Sequence, residues 1–240
     1  MNLLELAPKE ALQIAPPKAT ISYSPVPNVQ LLENIQRNIE GRGLTIKGAD
    51  MKTAAHGQQF MGTIQLGGTT DDAELGMQLG FRNSYNKSFA VGFGIGAEVF
   101  ICSNGMFLAD VKAVRKHTSM VWRDISSILS YQLDEVEDTF TQLLNDSEDM
   151  KYTYLSQEQV QEIVWKLWVE EKVLTGQQMN ILKKEMFYSE NFKMYDPKQE
   201  MGLPTAWNMY NNVTQALKVS HPSKYFKDHE KTHQLITEYA

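Results

Sequence analysis

The stretch Phe89-Ala-Val-Gly-Phe-Gly-Ile-Gly-Ala-Glu-Val-Phe-Ile-Cys102 decides the fold class of this chain. Successive side chains of a strand point to opposite faces, so Val91, Phe93 and Ile95 share one face and the alternating glycines lie on the other. The glycines superficially match a dinucleotide-binding loop, but such a loop must open a helix, whereas here the strand pattern continues. The glycine face instead favours close approach of a helix, another backbone or a ligand, and close side-chain packing is the commonest reason.

Shorter segments of the same character lie on both sides of this strand. They are rich in β-forming residues and separated by glycine and asparagine turns, and they cover residues 63–66, 77–81 and 106–111. An amphipathic helix over residues 29–40 precedes them and ends at Gly41 and Gly43. The pattern predicts an antiparallel sheet over about residues 44–118.

Helical periodicity replaces the strand pattern after His117. The longest apolar stripe has steps of three and four residues and predicts one helix more than ~30 Å long; it consists of Trp122, Ile125, Leu129, Leu133, Val136, Phe140 and Leu143. Capping-box patterns predict helix starts at Ser156 and Thr175, and Pro204 is expected to open the last helix. The first of these helices is expected to bury Val160, Ile163, Val164, Leu167 and Trp168.

The predicted class is therefore α+β, with the sheet region followed by a helical region over about residues 119–220. Residues 1–28 hold five of the eight prolines and predict an extended arm, with a disordered tail as the alternative. Residues 29–118 form the helix and sheet part. Residues 119–240 form the helical part, expected to lie on the sheet as one domain.

Composition narrows the class of protein. The 240 residues carry a net charge of −6, which excludes a uniformly basic nucleic-acid coat, and the single cysteine excludes an internal disulfide framework. No apolar run reaches the ~20 residues that span a bilayer, and the first residues lack an export-signal pattern. We expect a cytoplasmic protein with no membrane partner.

The order of the charges is more informative than their sum. Residues 124–149 carry eight carboxylates and no Lys or Arg, which leaves +2 on the rest of the chain. Just before them, residues 111–123 contain Lys112, Arg115, Lys116 and Arg123 without a carboxylate. A basic start and an acidic end oppose the dipole of a single helix. A solvated face is the simplest explanation, and subunit contact or phosphate binding are the alternatives.

Three groups of residues are candidates for chemistry. Cys102 and His117 could form a thiolate–imidazole pair, but a lone strand cysteine is usually a small buried hydrophobe. His221, His229 and His233 have metal-like spacing, yet a solvated, lysine-rich segment is the favoured interpretation. Carboxylates in the turn at residues 71–74 are expected to cap backbone amides. We therefore predict no catalytic residue, no metal site and no cofactor, and an enzyme is the least favoured class.

Two motifs resemble the phage/plasmid-like protein family of unknown function. They are Arg82-Asn-Ser-Tyr-Asn-Lys-Ser88 and Cys102-Ser-Asn-Gly-Met106, with Lys116-His117-Thr118 further on. The residues at the motif positions are Ser84, Asn86, Ser88, Cys102, Ser103, Asn104 and Gly105. Asn86 departs from the family, which usually has Asp there. The resemblance implies a mobile-element origin and an α+β fold, and it implies no chemistry.

By its residue types, Asn104-Gly105 favours a type I′ hairpin turn, with a ligand role as the alternative. The basic residues near the motifs would form one surface if the flanking strands fold back. Our first functional hypothesis is a non-enzymatic, oligomeric accessory protein of a mobile element that binds nucleic acid, single-stranded in preference. The candidate contacts are Arg82, Tyr85, Lys87, Lys112, Arg115, Lys116, His117 and Arg123.

Stacking faces for such a ligand would come from Tyr85, Phe89 and Trp122. The alternative is a protein-interaction module, such as an inhibitor of a host defence factor or a virion component, in which the acidic helix contacts a basic partner. The expected location is the bacterial cytoplasm, with the virion as the second location. An enzyme using Cys102 and His117 is the third hypothesis.

Overall fold

The computed structural model describes residues 1–70, 72–101, 104–107, 114–115, 120–195 and 202–240, with the backbone alone at residues 114–115. Strands within these ranges fall between residues 45 and 115, and helices follow from Val121 onward, so the predicted α+β class is confirmed. The elements are α1 (Leu3–Leu6), α2 (Lys9–Gln13), α3 (Asn28–Glu40), β1 (Thr45–Ala54), β2 (Gln59–Gly67), β3 (Leu75–Ser84), β4 (Val91–Val99), β5 (Asn104–Phe107), β6 (Val114–Arg115), α4 (Val121–Asp134), α5 (Val136–Tyr152), α6 (Gln157–Trp165), a π turn (Lys166–Glu170), α7 (Gly176–Tyr188), α8 (Ala206–Leu217) and α9 (Tyr225–Thr237).

Two compact units make up the chain. Unit 1 contains Met1–Glu98 and Ala109–Phe140, and unit 2 contains Val99–Leu108 and Thr141–Ala240. The sequence suggested a division at residue 118, whereas the units divide at Phe140 and the strand β5 belongs to unit 2.

The sheet of unit 1 follows chain order from β1 to β4, and β6 adds to β4. β1 and β2 are antiparallel, as are β2 and β3. Strand β1 was not predicted as a separate strand, because a register shift between Ile46 and Gly48 interrupts its alternation of buried and exposed residues. Ile46 and Met51 are both buried although they lie an odd number of residues apart, which a regular strand would not allow.

The N-terminal segment contains two short helices where an extended arm was expected. Pro8 and Pro27 lie at the N-cap positions of α2 and α3, where a missing N–H costs no helical hydrogen bond. Helices α1 and α2 contact α3 and β1, and Leu3 and Ala11 are buried. The prolines thus separate short helices that are tied to the rest of unit 1.

The predicted long helix is interrupted at Glu135, so α4 and α5 are two helices. The apolar stripe continues across the interruption, because Leu133 and Val136 are both buried. The prediction of a single helix was wrong, whereas most of its predicted buried face is correct. Trp122 is half-buried.

Unit 2 confirms the two predicted capping boxes. Ser156 and Gln159 cap α6 reciprocally, and Thr175 and Gln178 do the same for α7. Pro204 lies one residue before Thr205, which is the N-cap of α8. The predicted helix is present, but α9 follows it and is the last helix.

Candidate functional site

The first motif forms the loop between β3 and β4. The Ser84 hydroxyl donates to the Phe89 carbonyl at 2.6 Å and accepts from the Phe89 N–H at 3.2 Å. Asn86 Oδ1 accepts from the Ser88 N–H at 3.1 Å and from the Ser88 hydroxyl at 2.6 Å. These bonds close an Asx turn that leaves Lys87 at its tip with φ of 62°. Ser84, Asn86 and Ser88 therefore build the loop itself.

The residues beside this loop hold the segment that leads into α3. Asn83 is fully buried, and its amide donates to the Val26 carbonyl at 2.7 Å and to Asn28 Oδ1 at 2.8 Å. The Asn28 N–H donates to the Tyr85 hydroxyl at 2.8 Å. The Tyr23 hydroxyl donates to the Tyr85 carbonyl at 3.3 Å. This half of the motif is an anchor for the N-terminal segment.

The structure corrects the expected roles of three aromatic or basic residues. Arg82 is 6% exposed, with its guanidinium 5.5 Å from the centre of the Phe89 ring, and burial lowers its pKa. Tyr85 and Phe89 are also buried, so they offer no open face for stacking on a base. The reason is that nearly every residue of β3 is buried, on both faces of the sheet, which overrides the usual surface preference of Arg.

The other predicted basic residues have different outcomes. Lys87 is exposed, and its ammonium lies 4.2 Å from the centre of the Tyr23 ring. Arg115 in β6 pairs with Val91 at the start of β4, so the chain does fold back beside the loop that carries Lys87. Arg123 lies in the first turn of α4 with its side chain 72% exposed, and α4 contacts β6. Lys112, Lys116 and His117 lie outside the described residues.

The second motif lies in unit 2, and its predicted turn is wrong. Asn104 and Gly105 belong to strand β5. Asn104 is 1% exposed, and its amide donates to the Asn211 carbonyl at 3.0 Å and to Asn211 Oδ1 at 3.2 Å. Bonding to α8 fixes this asparagine in the strand and overrides the local turn preference. Cys102 and Ser103 lie outside the described residues, so the proposed pair of Cys102 with His117 does too.

Asn104 lines a polar pocket within unit 2. The pocket has a volume of about 240 Å³, and its floor includes Asn211 and Asn212 of α8. Glu185 at the end of α7 and Glu190 in the loop that follows contribute carboxylates. These residues were not predicted; the signal that could have found them is the pair of consecutive asparagines between the apolar residues Tyr210 and Val213 of α8.

The histidines of α9 are buried, which corrects the prediction of a solvated segment for two of the three. His229 is 0% exposed, neither ring nitrogen has a hydrogen-bond partner among the described residues, and burial lowers its pKa to about 3. The nearby Gly105 backbone opposes the shift of the His229 pKa but is the smaller of the two effects. His233 Nε2 contacts Asp146 Oδ2 at 2.9 Å. Across the part of the chain that the structure describes, no cluster of His, Cys, Asp and Glu could hold a metal ion.

Trp168 was expected to be buried, but both Trp168 and Trp165 are exposed. Trp165 and Trp168 are 55% and 50% exposed, and Val169 beside them is 38% exposed. The helix widens into a π turn at Lys166, and the wider turn rotates Trp168 away from the face that buries Leu167. The result is an apolar surface on unit 2.

Two predictions concerned carboxylates: that those in the turn at residues 71–74 cap backbone amides, and that the acidic stretch at residues 124–149 is a solvated face. In the turn at residues 71–74, Asp72 Oδ1 accepts from the N–H groups of Glu74 and Leu75, as expected; Asp71 lies outside the described residues. In the acidic stretch, Asp134 pairs with Arg42 at 2.7 Å and Glu137 accepts from the Thr69 N–H at 2.7 Å. Part of the acidic face is therefore used within the chain.

Comparison with known proteins gives a family without an assigned activity. The family model described as "Domain of unknown function (DUF932)" matches residues 19–236, and the chain belongs to this family. No curated protein and no solved structure matches the chain. Within the described residues, no helix is both long enough and apolar enough to cross a bilayer.

Proposed function

We propose that the chain is a non-enzymatic accessory protein of a mobile genetic element that binds nucleic acid through its phosphates and works as an oligomer. The supporting observation is the pairing of β6 with the start of β4, which brings Arg115 of the basic segment beside the loop that carries Lys87. Phosphate contacts need exposed cations, and Lys87 and Arg123 are both exposed, with Arg123 Nε 3.8 Å from Asp124 Oδ1.

The proposal differs from the sequence-based hypothesis in its residues. Arg82, Tyr85 and Phe89 leave the contact set because they are buried. Among the proposed stacking residues, Trp122 is half-buried and is the one that retains accessible surface. A preference for single strands now depends on Trp122, whereas the phosphate contacts depend on Lys87, Arg115 and Arg123, with Lys112 and Lys116 from the same basic segment.

A charge-reversal series tests the proposal. Lys87→Glu, Arg115→Glu and Arg123→Glu should each weaken binding to labelled oligothymidine, measured by fluorescence anisotropy at several salt concentrations. Each lost contact should reduce the slope of log K against log salt by about 0.7 on single strands. Lys172→Glu is the control, because Lys172 is also an exposed lysine with positive φ and the substitution changes net charge equally.

If Lys87→Glu and Lys172→Glu weaken binding equally, binding depends on the overall charge of the chain, and the proposal of a local binding surface around Lys87 is wrong. Binding that does not change with salt would contradict phosphate contact altogether. A duplex of the same length compares the strand preference, and light scattering on the same sample gives the mass of the complex.

A second candidate function, a protein-interaction module, is favoured by the exposed surface of Trp165, Trp168 and Val169. Tryptophan is enriched where protein surfaces meet, and contiguous exposed apolar groups mark such sites. Glu158 is exposed and lies two turns before Trp165 on the same helix face, whereas Glu162, one turn before Trp165, pairs with Lys166 at 3.0 Å. The partner that fits is therefore a segment with apolar residues and a basic residue placed near Glu158.

The test uses a helical peptide of leucine and lysine as the probe. Binding should shift the tryptophan emission to shorter wavelength, and Trp165→Ser with Trp168→Ser should abolish both binding and the shift. Tyr188→Ser is the control, because Tyr188 is another exposed aromatic residue of unit 2. Equal loss in the control variant, or unchanged binding in the double variant, would remove this candidate.

A further inference from the structure

The pocket beside Asn104 in unit 2 contains a hydrogen-bond acceptor that no described group of the chain satisfies. Asn104 is 1% exposed, and its Oδ1 accepts no hydrogen bond from the described residues although its amide is fully engaged with Asn211. A buried acceptor without a donor destabilises the fold, so such groups are uncommon in folded proteins unless a ligand or water completes them. Asn104 lines the pocket, so a ligand there with an N–H or O–H donor would lie next to this unpaired acceptor.

The described charged side chains that line the pocket are all negative. Glu185 and Glu190 contribute two carboxylates, and among the described residues that line the pocket there is no Lys, Arg or His. The remaining lining is mostly amide and hydroxyl groups, with Ile101 and Phe192 as the apolar members. An anion would meet two carboxylates without a counter-charge, and an apolar ligand would bury the amides unpaired.

The walls of the pocket are held in position by the chain itself. The Asn212 amide donates to the Phe192 carbonyl at 2.9 Å, and the Phe192 N–H donates to the Ser189 hydroxyl at 3.1 Å. Just beyond, the Met194 N–H donates to the Met186 carbonyl at 2.9 Å. The loop after α7 is therefore fixed to both α7 and α8, which preorganises the acceptors for a ligand.

We propose that this pocket binds a small organic cation that carries N–H donors, an alkylammonium or guanidinium group. The cation would lie between the Glu185 and Glu190 carboxylates and direct a donor towards Asn104, with the Phe192 ring as an apolar side wall. Charge-assisted hydrogen bonds to carboxylates supply the affinity, and the amides supply the orientation. A volume of about 240 Å³ suits a ligand smaller than a drug-sized molecule.

A hard metal ion is the competing cation and fits less well. Calcium takes six to eight oxygen ligands, and the described residues provide no group of three acidic or histidine ligands. An N–H cation needs fewer ligands because each donor is satisfied by one oxygen. The proposal is independent of nucleic-acid binding, which is assigned to unit 1.

Isothermal titration calorimetry on the full chain tests the pocket. Putrescine represents a free diamine. Nα-acetyl-lysine N-methylamide, whose ε-ammonium group is free, represents a lysine side chain of a protein. 1,4-Butanediol is the neutral analogue of putrescine. We expect at least one of the two cations to bind and the diol not to bind. Binding by putrescine alone indicates a free small molecule, whereas binding by the lysine derivative alone indicates a side chain of another protein.

Glu185→Gln and Glu190→Gln should each weaken cation binding by about tenfold, since each removes one charged acceptor. Glu170→Gln is the matched control, because Glu170 is an exposed carboxylate of unit 2 that does not line the pocket. Binding of neither cation, equal binding of the diol, binding of calcium alone, or equal weakening by Glu170→Gln would overturn the proposal.

Discussion

At the scale of single residues, two buried polar side chains have polar atoms without a hydrogen-bond partner among the described residues. His229 and Tyr210 are both 0% exposed, and within the described part of the chain neither has a hydrogen-bond partner on its ring nitrogens or hydroxyl. The His229 ring instead contacts the Tyr225 ring, with centroids 4.5 Å apart, and the Phe107 ring at 5.5 Å. Aromatic contacts therefore replace hydrogen bonds around this histidine, and the neutral imidazole is the form that fits.

Asn83 gives a prediction at this scale. Asn83→Leu should lower the free energy of unfolding by about 2–3 kcal/mol, because the Val26 carbonyl and Asn28 Oδ1 both lose a buried donor. Urea titration followed by circular dichroism measures the change. Asn180→Leu, at an exposed position of α7, is the control and should stay within about 0.5 kcal/mol. Equal effects of both substitutions would contradict an anchoring role for Asn83.

Two interruptions in the helices explain features that continuous helices would not. The break at Glu135 puts Glu137 and Asp138 in the first turn of α5, where the helix dipole favours carboxylates, and Lys151 in its last turn. The charge order therefore becomes favourable at the start of α5, whereas Glu148 and Asp149 near its end still oppose the helix dipole. The π turn at Lys166 changes the direction of a side chain, because it turns Trp168 outward.

The capping box of α6 gives a prediction at the scale of elements. Ser156→Ala should cost about 1 kcal/mol, because the Gln159 N–H loses its acceptor at the helix start. Ser127→Ala, on an exposed position inside α4, is the control and should be neutral or slightly stabilising. Thermal unfolding of both variants measures the difference. A neutral Ser156→Ala variant would show that tertiary contacts alone hold this helix start.

Opposing charge effects set the response of the whole molecule to acid. The chain carries −6 with an isoelectric point near 5.4, so mild acid reduces its self-repulsion. Burial raises the pKa of Asp228 to about 6, so stability also rises as this carboxyl gains a proton below pH 6. His229 has the opposite effect, because its folded pKa of about 3 lies below the unfolded value of about 6.5.

The histidine should dominate between pH 7 and pH 5. Below pH 6.5 the unfolded chain binds a proton that folded His229 excludes, which lowers stability by up to about 1.4 kcal/mol for each pH unit. His229→Leu, which keeps a similar volume, should remove this loss, so that the variant becomes no less stable as the pH falls to 5. Urea midpoints at several pH values measure both proteins. An unchanged pH dependence in the variant would exclude His229 as the acid-sensitive group.

Part of the structure could be predicted from patterns among residues that are close in the sequence. The α+β order, helix α3 and the capping boxes of α6 and α7 follow from residues that lie within a few positions of each other. Even the burial of His229 has a local trace, because Phe226, His229, His233 and Ile236 follow a helical stripe. Treating the histidines as members of that stripe would have predicted their burial.

The sequence by itself determined the α+β order, helix α3, the starts of α6 and α7, and the family, because periodicity, capping patterns and motif order are properties of neighbouring residues. Only the tertiary structure decided which polar groups are buried. Asn83 bonds to Val26 across 57 residues, and Asn104 bonds to Asn211 across 107. Such contacts remove Arg82 and Tyr85 from the surface and hold Asn104 in a strand. The burial of Asn83 and Asn104 depends on what lies across the fold, and the residues beside them in the sequence carry no record of that.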